Sequence, residues 1–133
     1  MTTPLLEVSG LTVAYGDADP VVRDISFSVE AGNITAIVGE SGSGKTTFLN
    51  IAGLLETFTE GDYLLDGENV RGMSDDDRSR LRNRKIGFVF QSFNLLPTLS
   101  AWENVAVPKL LDGVRLGQVK PQALALLDRV GLG

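Results

Sequence analysis

One stretch restricts this chain more than any other: Gly39-Glu-Ser-Gly-Ser-Gly-Lys-Thr-Thr47. An apolar run, Ile34 to Val38, leads into it, and a helix-compatible run, Phe48-Leu-Asn-Ile-Ala-Gly-Leu-Leu55, leads out. Strand, glycine-rich loop and helix with G-x-x-x-x-G-K-[ST] at the junction is the P-loop pattern. The glycines let successive backbone N–H groups turn inward around an anion. A helix opening near Gly44 adds unpaired first-turn donors and the positive end of its dipole. Lys45 supplies a mobile positive charge for the outer phosphates, and Thr46 a hydroxyl for Mg²⁺. The four fixed positions coincide by chance in roughly one of a few hundred chains this long, and chance does not also place the strand and helix. This stretch is expected to bind phosphate.

The rest of the chain supports an α/β domain. Leu11, Val13 and Tyr15 share one side of an alternating segment, and Ile25, Phe27 and Val29 share one side of another. Two such neighbours predict an antiparallel piece at the front. Ile34 to Val38 and Ile86-Gly-Phe-Val-Phe90 are nearly continuous apolar runs, as expected of strands covered on both faces. Tyr63-Leu-Leu65 and Asn69-Val70 flank Asp66-Gly67, a hairpin signal. Ser74 with Asp75, Asp76 and Asp77 opens a polar helix whose arginines, Arg78 to Arg84, come later, as the helix dipole favours. Ser100-Ala-Trp-Glu103 matches a capping box and predicts a helix through Val107, which Pro108 kinks or interrupts. A last helix is expected from about Pro121 to Val130, with Leu124, Leu127 and Val130 as its apolar stripe and Gly131 as its stop. Together these give a mostly parallel central sheet with an antiparallel β front piece.

Composition removes several functions. The 133 residues suit a single domain with a buried core. With 12 basic and 17 acidic residues the net charge is −5, so a broad electrostatic contact with nucleic acid is not expected. There is no cysteine, hence no disulfide framework or thiolate metal site, and no histidine, hence no imidazole base or ligand. The start, Met1 to Val8, lacks the pattern of a secretory signal, and no apolar window approaches the ~20 residues of a spanning helix. The chain reads as soluble and intracellular, with any membrane contact made through a partner.

Three features together resemble the ATP-binding domain of ABC transporters. They are Leu11-Thr-Val-Ala-Tyr15, the P-loop in the form Gly39 to Thr47, and Gly87-Phe-Val-Phe-Gln91-Ser-Phe-Asn-Leu-Leu-Pro97, which looks like the Q-loop. The stretch Leu99-Ser-Ala-Trp-Glu-Asn-Val105 with Pro108 is similar to the branch serving lipoprotein release and macrolide-type export. The resemblance implies a P-loop NTPase fold of the ABC type, ATP and Mg²⁺ as cofactors, and ATP hydrolysis coupled to transport. It implies that Tyr15 stacks on adenine, while Gly39, Glu40, Ser41, Gly42, Ser43, Gly44, Lys45, Thr46 and Thr47 hold the phosphates. Lys45 and Gln91 would be the catalytic residues, with Thr46 and Gln91 at the metal. The loop after Gln91 would sense a transmembrane permease subunit, with Phe93, Leu95, Leu96 and Leu99 as a candidate apolar contact surface. A second ATP-binding domain would complete a dimer on the cytoplasmic, inner face of the cell membrane.

The sequence departs from that family in what it lacks. Leu-Ser-Gly-Gly-Gln does not occur, no apolar strand ends in Asp-Glu, and there is no switch histidine. Residues 1–133 are therefore expected to be the N-terminal part of one nucleotide-binding domain, ending before the signature motif. Phosphoryl transfer depends on positioned charge, so this chain alone is expected to bind ATP but not turn it over. A GTPase would need Asn-Lys-x-Asp, which is absent. An ABC-type domain serving DNA repair or translation, and a non-catalytic regulatory module, are the other readings; the apolar loop after Gln91 favours a transporter.

Overall fold

The computed structural model describes residues 3–133, which divide into two compact units, one ending at Arg82 and one comprising Asn83–Gly133. In the first unit, β1 (Leu6–Val13) lies between β2 (Val22–Val29) and β3 (Glu60–Leu65), with the short β4 (Glu68–Asn69) beyond β3. Every pairing is antiparallel. Val8 stands opposite Phe27 on one side and Tyr63 on the other. The ladder between β1 and β2 slips between Val8 and Leu11, and again before Val13. Side chains take over the orphaned amides there: Gly10 N–H donates to Ser26 Oγ at 2.8 Å, and Asp24 N–H to Thr12 Oγ1 at 3.1 Å. Asp66 and Gly67 both have positive φ, 50° and 81°, the backbone of a type I′ turn. The predicted hairpin is present.

Helix α1 (Lys45–Ala52) buries Phe48 and Ile51, with the Phe48 ring against Phe27 of β2. Val8, Leu11, Val13, Tyr63 and Leu65 are buried from the strands, and Phe48, Ile51 and Leu54 from α1 and its end. Helix ends leave carbonyls without partners, and here side chains meet them. Tyr63 hydroxyl donates to the Ala52 carbonyl at 2.5 Å. Arg78 and Arg82, on α2 (Asp75–Lys85), both donate to the Leu54 carbonyl, at 3.3 and 2.7 Å. Ser74 Oγ accepts from Asp77 N–H at 3.2 Å, the expected cap of α2.

The second unit contains a helical hairpin, α3 (Ala101–Leu111) and α4 (Leu116–Arg129). The capping box forms: Glu103 N–H donates to Ser100 Oγ, and Ser100 N–H returns to the Glu103 carboxylate. That pairing with Ser100 holds the Glu103 carboxyl below its ordinary range. Two expectations are corrected. Pro108 lies inside α3, which continues to Leu111, and α4 begins at Leu116 with Pro121 in its interior. A proline costs one backbone bond and a local adjustment, and the contacts between the two helices offset it. The buried stripe of α4 is Val119, Ala123 and Leu127, while Leu124 and Val130 are exposed. Trp102 rests against the cluster of Ala106, Val119 and Ala123, with Lys120 Nζ 5.1 Å from its ring centre.

The parallel part of the expected sheet is not present as a ladder. Ile34 to Val38 and Ile86 to Phe90 form no strand; Ile34 and Val89 are fully exposed and Val38 is 86% exposed. A strand exists through the bonds of a neighbour. Among the described residues neither run has such a neighbour, so apolar character alone leaves both runs unpaired.

Burial pushes the Tyr63 hydroxyl up to about 12 from its ordinary 10.0. The folded state therefore holds this proton more tightly than the unfolded chain does. The resulting stability is whole below pH 10 and is lost as pH rises towards 12. We expect Tyr63→Phe to cost about 1 kcal/mol near neutrality through its hydrogen bond, and to flatten the alkaline fall. Denaturant titrations on both sides of pH 10 check this; equal alkaline slopes for the two proteins would contradict it.

Candidate functional site

The glycine-rich loop is built around how α1 begins. Gly44 is its N-cap, with φ 93°, in the left-handed region that glycine enters without steric cost. A Cβ at this position would lie 2.9 Å from the carbonyl oxygen of Val21, the residue before β2. Both the turn and this close approach therefore require glycine. Before it, Ser43 N–H closes a turn onto the Glu40 carbonyl at 3.1 Å, and Gly42 also has positive φ, 82°.

No side chain caps α1, and no acidic residue lies in its first turn. The other two helices whose starts carry a serine are capped by it, Ser74 for α2 and Ser100 for α3. Phe48 N–H bonds back to the Gly44 carbonyl at 2.9 Å. The three amides before it, of Lys45, Thr46 and Thr47, are the donors that helix geometry leaves over. Lys45 curls back across the loop, its Nζ donating to the carbonyls of Gly39 and, at 3.2 Å, Glu40. An ammonium, left-over amides and the positive end of a helix dipole thus converge. Ser41, Gly42, Gly44, Lys45, Thr46 and Thr47 line a concavity of about 220 Å³ there. Its chemistry suits an anion with several oxygens.

A larger cavity of about 600 Å³ also borders the loop, lined in part by Ile25, Phe27, Ile37, Val38 and Phe48. These five side chains are apolar, and Phe27 and Phe48 meet ring to ring at 5.2 Å. We assign the phosphate chemistry to the smaller, polar concavity.

The structure joins most of the predicted site within the first unit. Gly39, Glu40, Ser41, Gly42, Ser43, Gly44, Lys45, Thr46 and Thr47 form the loop and first turn just described. Tyr15 follows the end of β1, 51% exposed, with its hydroxyl donating to Glu56 Oε1. Val21 N–H bonds to the Val13 carbonyl at 2.8 Å, while the Val21 carbonyl abuts Gly44. The segment holding Tyr15 is therefore tied to the loop through one residue. Gln91 is an exposed bend residue of the second unit. Among the described residues no cluster of three or more carboxylates or imidazoles could hold a metal. The Thr46 hydroxyl fits a Mg²⁺ that arrives on phosphate oxygens, because that ion commonly takes few protein ligands and keeps waters. Sequence reading missed Val21 and Glu56. Neither carries a local signal, since each acts through a contact distant in the chain.

This is the arrangement of a P-loop nucleotide-binding domain, and comparison with known proteins agrees. The ABC transporter family model matches residues 22–133. The chain belongs to that family. It is 44% identical over 137 residues to the pyoverdine export ATP-binding/permease protein PvdT of Pseudomonas savastanoi pv. phaseolicola, covering 100% of this chain and 21% of that protein. It is 48% identical over 134 residues to the macrolide export ATP-binding/permease protein MacB of Syntrophobacter fumaroxidans, covering 97% of this chain and 19% of that one. Among solved structures, the ATP-binding cassette MJ0796, a dimer in a post-hydrolysis state bound to ADP and Pi, matches with a TM-score of 0.82 and 33% identity. That match covers 92% of this chain and 56% of the cassette. The chain thus spans about a fifth of the length of the PvdT and MacB relatives.

Gly44→Ala introduces both a strained φ and the 2.9 Å approach to the Val21 carbonyl. We expect it to cost about 1–2 kcal/mol from the left-handed backbone alone, with the start of α1 shifted. Amide exchange should accelerate at Lys45 to Phe48. Unchanged exchange there, with unchanged stability, would show that the loop does not depend on this glycine.

Proposed function

We propose that this chain supplies the phosphate- and adenine-binding part of an ATPase that drives export through a membrane permease. One observation supports this above the rest: α1 starts uncapped from a left-handed glycine, with Lys45 laid across the loop that precedes it. Gly39 to Thr47 would wrap the triphosphate with backbone N–H groups. Lys45 would exchange its two loop carbonyls for the outer phosphate oxygens, placing positive charge where negative charge builds during phosphoryl transfer. Thr46 would offer its hydroxyl to Mg²⁺, and Gln91 a neutral amide to the same ion or to the attacking water. Bound there, Mg²⁺ would supply positive charge beside the phosphate oxygens. Tyr15 would present its exposed ring to adenine; base–aromatic stacking is worth ~1–3 kcal/mol.

The names of the relatives, which join ATP binding to a permease in export, support a transport role. The solved cassette is dimeric, which supports a second ATP-binding domain as partner. The loop after Gln91 is suited to a permease contact, since Phe93 is 92% exposed and Leu95 and Leu96 are exposed beside it; Leu99 is half-buried. No helix among the described residues is long and apolar enough to cross a membrane. In this reading the permease holds the domain at the cytoplasmic face. The 133 residues contain no Leu-Ser-Gly-Gly-Gln and no histidine, so by themselves they would bind ATP without appreciable turnover.

Calorimetry with Mg-ATP on this chain and on Lys45→Ala tests the reading. Losing charge-assisted hydrogen bonds worth ~1.5–3 kcal/mol should weaken binding about ten- to a hundred-fold. Equal affinity of the two proteins would overturn the assignment of Lys45. Turnover by the 133-residue chain at the rate of a complete transporter ATPase would overturn the second half of the proposal.

A further inference from the structure

We infer that Glu56 is a positioning residue for the adenine platform: its carboxylate holds the Tyr15 ring in the orientation that receives the base. The inference rests on the nucleotide-binding reading above and adds to it a residue that no sequence motif marks. Tyr15 lies beyond the last residue of β1 and is 51% exposed, so packing alone does not set its ring. Its hydroxyl donates to Glu56 Oε1 across 41 residues of chain. A phenol-to-carboxylate bond is charge-assisted and among the stronger side-chain pairs.

Glu56 is itself held. Its N–H and that of Leu55 both donate to the Asn50 carbonyl, at 3.3 and 2.8 Å, in the last turn of α1. Three residues on, Thr59 is stitched to the end of β1. Thr59 N–H donates to the Thr12 carbonyl at 2.9 Å, and Thr59 Oγ1 accepts from Ala14 N–H at 3.0 Å and donates to the Ala14 carbonyl at 3.2 Å. The turn carrying Glu56 and the residue preceding Tyr15 are therefore one hydrogen-bonded body. Helix α1 begins at the phosphate loop, and the Asn50 carbonyl in its last turn holds the turn that carries Glu56. One element thus positions both ends of a bound nucleotide.

The expected effect is preorganisation. A ring at the surface otherwise rotates about its side-chain torsions, and stacking must then offset the cost of ordering it. Glu56→Ala and Tyr15→Phe remove the same hydrogen bond from opposite sides. Each should weaken ATP binding by about 3- to 10-fold, and the double variant should be no weaker than either single one. Glu56→Gln keeps an acceptor oxygen for the hydroxyl and should bind ATP nearly as wild type does. Inorganic triphosphate, which has no base, should bind all four variants and the wild type alike.

Calorimetry of this chain with ATP and with inorganic triphosphate measures every arm. Wild-type ATP affinity in both Glu56→Ala and Tyr15→Phe overturns the inference. Additive losses in the double variant, or a parallel fall in triphosphate affinity, also overturn it, because the effect would then be a general change of fold. Lys45→Ala distinguishes failure of the brace from failure of the site. If it abolishes triphosphate binding while the Glu56 variants bind ATP normally, the nucleotide site stands and the brace is wrong. If wild type and Lys45→Ala bind triphosphate equally, the site itself is wrong and the brace with it.

Discussion

The whole first unit depends on a helix that starts where a side chain would not fit. Gly44 turns the backbone left-handed directly against the carbonyl of Val21, and α1 starts at the next residue. Because no side chain caps the start, the charge and donors of the helix end face outward into the concavity. A serine cap of the kind found on α3 would stabilise the helix by about 1 kcal/mol while competing for those donors. The uncapped start fits a ligand that supplies the missing acceptors.

The rest of the unit keeps that helix in place. Its apolar side is buried through Phe48 and Ile51, and the Phe48 ring meets Phe27 of β2. Its far end is met by Tyr63 at the Ala52 carbonyl and by two arginines at Leu54. These bonds satisfy carbonyls that burial would otherwise leave costly. The arginines of α2 read in sequence as a solvated face, and Arg78 and Arg82 are also a clamp. Long side chains bury their stems and carry their donors to a distant acceptor, which spacing along one helix does not show.

What could be read from the sequence was local. The Asp66-Gly67 turn, the Ser100/Glu103 capping box, the Ser74 cap and the loop from Gly39 to Thr47 are each specified within a few residues, and each is present. What misled was also local information used beyond its range. Pro121 looked like the first turn of a helix, yet α4 starts at Leu116, because burial of Val119 and Ala123 with Ala106 of α3 outweighs one lost backbone bond. Apolar content made strands of Ile34–Val38 and Ile86–Phe90, but a strand is a relation between two segments, and neither run has a partner among the described residues.

Residue identity by itself determined the glycine-rich loop. The glycines, Lys45 and Thr46 act through backbone conformation and chemistry set within nine consecutive positions. Tertiary structure alone decided the placing of β1 between β2 and β3, the seating of Gly44 against Val21, and the meeting of Tyr15 with Glu56. The physical reason is the range of the forces involved. Torsional preference and capping act over one turn of chain, whereas a ladder, a close backbone approach and a side-chain brace exist only after distant segments have met.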